Sequence, residues 1–171
     1  MPMSETASVP ALIRGLQERS ARALPPVVSA HLDGWWLRQA GSGAWWASAV
    51  LPHGDAGPAE LPARIRIAEE FCARHGAPAR FQVSPGACPA GLDDALAGRG
   101  YCLQCPMSLR TAPATRVIGR LPAGGARICI DDQPADAWFG KCGNTAARRL
   151  YGQAGFTQLC RYHYRTGGRI C

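Results

Sequence analysis

Thiols, guanidiniums and one helical pattern are the groups in this chain whose types and spacing could do chemistry. Eight cysteines stand at positions 72, 88, 102, 105, 129, 142, 160 and 171. Only Cys102-x-x-Cys105 has the spacing of a metal-binding pair, and a zinc ribbon needs a second such pair. No metal site is expected. The cations are nearly all arginine, and they are unevenly placed. The net charge is +7, and residues 112–171 hold eight Arg and one Lys against three Asp. Such a basic half suits a polyanion, either a diphosphate or a nucleic acid. No helix-turn-helix, KH or RNP signature accompanies it, so nucleic acid is not the expected partner. The third feature is Asn144-x-x-Ala147-x-x-Leu150-Tyr151-x-x-x-Gly155-Phe156.

The elements that position this pattern can be read around it. Asn144 suits a helix N-cap, because its side-chain oxygen can accept an orphan amide of the first turn. Ala146, Ala147, Leu150 and Tyr151 fall at helical spacing on one face. Gly155 suits a left-handed helix stop. From Phe156 the chain alternates, with Tyr162 and Tyr164 on one face and His163 on the other, as in a strand. The spacing therefore predicts a helix over 144–154 and a strand over 156–165. His163 reads as a strand-face residue rather than a base.

Upstream, Ser8 can cap a helix carrying Val9, Leu12, Ile13 and Leu16, which stops at Pro25-Pro26. Val27–His31 reads as a connector. Asp33–Ala40 and Ala44–Leu51 read as a hairpin turning at Gly41-Ser42-Gly43, with its tryptophans on a sheet face. Leu61, Ile65, Ala68 and Cys72 mark a helix ending at His75-Gly76. Arg80–Val83 is a short strand, Leu92–Arg99 a short helix stopped by Gly100, and Tyr101–Thr111 a longer strand. Pro106 predicts an edge or a bulge there. Residues 112–125 read as a linker, Ala126–Asp131 as a strand and Pro134–Phe139 as one helical turn. The fold class is α+β, a mixed and mainly antiparallel sheet with flanking helices. The organisation expected is 1–111, a linker at 112–125, and 126–171. No run of about 18 apolar residues is present, and Glu5 lies where a secretory leader would be apolar. A cytoplasmic chain with reduced thiols and no membrane contact is expected.

A shift of 55 residues brings Leu92–Tyr101 over Ala147–Phe156, Cys105 over Cys160, and Arg110-Thr111 over Arg165-Thr166. Helix, glycine, aromatic and long strand thus occur twice. The first copy has Leu96 where the second has Tyr151.

The Asn144…Tyr151…Gly155-Phe156 pattern resembles the late helix and strand of the GCN5-related N-acetyltransferases. Asp33-Gly34-Trp35 with Leu37-Arg38, Arg80-Phe81-Gln82-Val83, Gly91-Leu92 and Gly100-Tyr101 resemble a subgroup in which a degenerate half precedes a complete one. The resemblance implies a degenerate half over 1–111 and a remnant of the complete half over 126–171. It implies acetyl-CoA as co-substrate and a small-molecule or protein amine as acceptor. It gives Tyr151 the role of protonating the departing thiolate, and Asn144 that of positioning the cofactor or the amine. Asp131, Asp132 or Asp136 could hold a basic water. The family's diphosphate loop, Arg/Gln-x-x-Gly-x-Gly/Ala, lies between a strand and a helix, whose N-terminus favours an anion. Arg38-Gln-Ala-Gly41-Ser-Gly43 has those letters but reads as a hairpin turn. Arg116-Val-Ile-Gly119-Arg-Leu121 departs from them. Two expectations follow: an N-acetyltransferase with weak cofactor binding, or a non-catalytic remnant that serves as a binding module.

Overall fold

The first helix starts where Ser8 Oγ accepts the Ala11 N–H at 3.4 Å, satisfying one orphan amide. In the computed structural model, which describes residues 8–41, 45–120 and 145–168, this helix α1 spans Val9–Ala23. Its buried face is Ile13, Gln17 and Ala21, while Val9 and Leu12 are exposed. The expected stripe is displaced because Gln17 finds buried polar partners, which hydropathy spacing does not register.

The hairpin forms one turn earlier than its sequence suggests. β1 (Val28–Leu32) and β2 (Trp35–Gln39) pair antiparallel around Asp33-Gly34. Asp33 (φ 45°) and Gly34 (φ 84°) both have positive φ, the conformation of the tight turns that match strand twist. The expected connector at 27–31 is therefore a strand. Of the expected strand 44–51, only its end survives, as β3 (Leu51–Pro52) on the other side of β2. Residues 45–48 are a turn.

Helix α2 (Leu61–Arg74) buries Leu61, Ile65, Ala68, Phe71 and Cys72, and ends at His75-Gly76. Strand β4 (Arg80–Val83) follows. Val50 and Phe81 form a parallel bridge, in which the Val50 N–H donates to the Arg80 carbonyl at 2.8 Å and the Gln82 N–H to the Val50 carbonyl at 3.0 Å. A parallel link thus joins two antiparallel groups, and the fold is α+β. Trp35, Leu37, Phe81, Val83, Ile65 and Phe71 form the core with Leu92 and Leu96 of helix α3 (Leu92–Gly98). Phe81 meets Trp35 and Tyr101 edge-on, at 5.9 and 5.6 Å between ring centres. Burying each such side chain contributes about 1.5–3 kcal/mol.

The 55-residue repeat is present in the backbone. Strand β5 spans Cys102–Thr111 and the last strand, β6, Thr157–Thr166, the same ten residues of each copy. Helix α5 (Thr145–Gln153) precedes β6 as α3 precedes β5. Both helices end in one hydrogen-bond pattern. The Tyr101 N–H donates to the Leu96 carbonyl at 3.0 Å, and the Phe156 N–H to the Tyr151 carbonyl at 2.9 Å. Gly100 (φ 79°) and Gly155 (φ 93°) supply the left-handed residue each stop requires.

The sheet order is β4-β6-β5, so Pro106 sits on an edge strand, where its missing N–H is tolerated. Cys105 just before it has φ 49°, a left-handed conformation that non-glycine residues rarely adopt. Helix α4 (Ala114–Ile118) stands inside the expected linker. The expected strand 126–131 and helical turn 134–139 lie outside the described residues. By its contacts the chain falls into two compact units, Met1–Gln104 with Tyr162–Cys171, and Cys105–Arg161. No helix among the described residues is long and apolar enough to cross a membrane.

Candidate functional site

Tyr151 stands in the last turn of α5, within the second unit. It is 45% exposed and Leu150 is 63% exposed. The Tyr151 ring meets Phe156 edge-on at 5.8 Å between ring centres. Arg116 on α4 and Arg120 just after it lie beside the end of α5. A Cβ added at Gly155 would come within 2.9 Å of Arg116 Cδ and Cγ. Arg120 Nη1 donates to the Gln153 carbonyl at 3.1 Å. A guanidinium at the carbonyl end of a helix is favoured by both the unpaired acceptors and the dipole.

The chemistry around Tyr151 is narrow. Among the described residues of Cys105–Arg161 there is no Asp, Glu or His. No side chain there could act as a base beside the phenol. Asn144, Asp131, Asp132 and Asp136, the other residues expected at the site, lie outside the described residues.

His163 belongs to the first unit and is bound to a carboxylate. Its Nε2 lies 2.8 Å from Asp93 Oδ1. Arg165 clasps the same carboxylate, with Nε at 2.7 Å from Oδ1 and Nη2 at 3.2 Å from Oδ2. The Arg165 fork, with help from His163, holds the Asp93 carboxyl below its usual range despite partial burial. Asp93 in turn pushes Arg165 up. This clamp joins α3 of one copy to β6 of the other. No sequence signal marks it, because its members lie 70 and 72 residues apart.

Arg38–Gly43 does not supply a diphosphate loop among the described residues. Arg38 is part of β2 and is 3% exposed. Its Nε donates to the Ala49 carbonyl at 3.0 Å, and its guanidinium lies 5.4 Å from the centre of the Trp36 ring. Burial pushes its pKa down to about 10. Ser42 and Gly43 lie outside the described residues; residues 45–48 form a turn, and among the described residues from there to α2 no helix offers an N-terminus to an anion.

A second buried polar group escaped the sequence reading. His53, 6% exposed, has Nε2 2.9 Å from Gln17 Oε1 and Nδ1 3.2 Å from Glu18 Oε1. Gln17 Nε2 donates to Ser84 Oγ at 2.5 Å. Burial lowers the His53 pKa, against the pull of Glu18. The adjacent Gln17-Glu18 pair on α1 is the one local hint of this network.

Three thiols among the described residues are not activated. Burial pushes Cys72, Cys88 and Cys160 up, which leaves little thiolate at neutral pH. Cys102 is disulfide-bonded, so the expectation of reduced thiols fails at that residue. Among the described residues no group of three or more His, Cys, Asp or Glu side chains gathers as metal ligands would. A cleft of about 600 Å³ in the first unit is lined by Val28, Gln39, Gly41, Trp45, Ser48 and Arg80, among others, and not by Tyr151.

No protein-family model, curated protein or solved structure matches this chain.

Proposed function

We propose that the chain is an N-acetyltransferase of the GCN5-related type, taking acetyl from acetyl-CoA to an amine. The observation that carries this reading is the second helix–glycine–strand copy. Its Leu150-Tyr151-x-x-x-Gly155-Phe156 residues fall on a helix end, a left-handed stop and a strand start. That is the context in which the resemblance has meaning. In the proposed reaction the amine nitrogen bonds to the thioester carbonyl carbon, the carbon–sulfur bond breaks, the Tyr151 phenol gives its proton to the departing thiolate, and the proton lost by the amine passes to water, which reprotonates the phenolate. A phenol held at the departing sulfur can serve as the general acid of that step. Asn144 would position the cofactor or the amine. The acceptor would be a small-molecule or protein amine, met in the cytoplasm.

One observation favours a second reading, a non-catalytic binding module on the same scaffold. The described residues of the Tyr151 unit carry no base, and no diphosphate loop is found among the described residues. Titration with acetyl-CoA, followed by an assay for released thiol with an amine present, separates the two readings. Heat of binding and thiol release support the enzyme. Neither signal supports the module.

A further inference from the structure

We infer that helix α1 is a latch released by acid: protonation of His53 lifts it from the rest of the first unit while the core beneath stays folded. This concerns a conformational device of the fold and stands apart from acetyl transfer.

Polar contacts hold α1 in place. Its Ile13 and Ala21 are buried, yet both stand outside the hydrophobic core around Trp35 and Phe81. What fastens the helix is a set of side chains that reach the loops after β3 and β4. Arg14 Nε donates to the Ala87 carbonyl at 2.7 Å, and its Nη2 to Asp55 Oδ1 at 3.0 Å. Gln17 Nε2 donates to Ser84 Oγ, and Gln17 Oε1 lies 2.9 Å from His53 Nε2. Glu18 Oε1 lies 3.2 Å from His53 Nδ1. Two consecutive side chains of α1 thus occupy both nitrogens of one buried ring. His53 is also the one group of the latch whose charge changes near neutral pH.

The charges around the ring set the direction. His53, Gln17, Ser84 and Arg38 are all more than nine-tenths buried, so an imidazolium there loses its water. Arg14 of α1 and Arg38 of β2 oppose a second cation, and Glu18 alone favours it. The Glu18 side chain is 35% exposed, so solvent weakens its pull. Asp55 is 91% exposed and taken by Arg14. Burial and the two arginines outweigh Glu18, and the ring takes a proton more readily in water than under α1. Docking is therefore complete above about pH 6.5 and weakens as pH falls towards the docked value.

The test is hydrogen–deuterium exchange of the full chain at about pH 7 and about pH 5, corrected for the intrinsic rate, with the α2 amides as internal reference. Protection of α1 falls several-fold relative to α2. The ceiling is about 25-fold, the limit for one proton on a ring with a free pKa of about 6.5. His53→Gln keeps a polar side chain without a titrating proton and removes the pH dependence. Glu18→Gln removes the one favourable carboxylate and brings the loss closer to the ceiling; it serves if His53→Gln fails to fold. Protection of α1 that rises at about pH 5 means that the imidazolium–Glu18 pair tightens the helix, and it overturns the inference. So do equal losses in α1 and α2, which mark global destabilisation, and a pH dependence that persists in His53→Gln.

Discussion

The two helix–glycine–strand copies share a backbone and differ in what they bury. In the first, Leu92 and Leu96 are fully buried against α2 and the sheet. In the second, Tyr151 takes the place of Leu96 and is 45% exposed, beside Leu150 at 63%. The stops are the same, with one hydrogen bond from the aromatic amide back to the residue five positions earlier. The helix stop is thus a local property of glycine and its neighbours, and it repeats wherever they do. Burial depends on what is packed opposite, and only the first copy has been given a partner among the described residues. A scaffold copy has one helix face committed to stability and, in the other, the same face turned outward where it can meet a ligand.

The comparison can be broken most readily at the buried leucine. Leu96→Ala should cost about 2–5 kcal/mol, since it removes a fully buried side chain from a packed core. Leu150→Ala should stay within about 0.5 kcal/mol. Chemical denaturation of the two variants reads this directly, and similar losses would show that the second face is covered as well as the first.

Glycine substitution sharpens the shared part. Gly100→Ala and Gly155→Ala should each cost about 1 kcal/mol, because alanine is strained at positive φ. Nothing lies within 4 Å of a Cβ at Gly100, whereas one at Gly155 meets Arg116. The Arg116 side chain is flexible, so the excess at Gly155 should be small. Thermal melts that show no loss at either site would remove the common stop.

Acid pH gives the smallest effects, all within the first unit. The His53 pKa is lowered in the folded chain. The unfolded chain therefore takes up the proton first, and stability is lost as pH falls below about 6.5 towards the folded value. Asp93 is also lowered, by Arg165 first, so its contribution is present above about pH 3.9 and is lost as pH falls through its folded value. Asp93 is partly exposed, which limits that share to about 1 kcal/mol or less. His53→Gln should flatten the upper limb of a stability–pH curve and Asp93→Asn the lower. A curve unchanged by both would contradict the assignment.

Much of the repeat was legible because its signals are local. Gly100, Gly155 and the alternation after each fixed the helix ends and strands within a residue or two. The Asp33-Gly34 turn was equally local and was passed over, so β1 was read as a connector, although the strand expected at Asp33–Ala40 is present as β2. What could not be read was whatever depends on distant partners. The buried face of α1 is set by Gln17 meeting His53 and Ser84, 36 and 67 residues away. The Asp93 clamp needs β6 to lie beside α3. The exposure of Tyr151 is likewise a property of its neighbours, and its helical spacing gives no sign of it.

Acetyl transfer by the full chain and by Tyr151→Phe is the most direct test of the proposed activity. Thiol release from acetyl-CoA in the presence of an amine should fall on the order of 10²-fold in kcat in the variant, with KM little changed, because the proton is needed only as the thiolate departs. Wild type and variant that are equally inert, with no heat on adding acetyl-CoA, would contradict it.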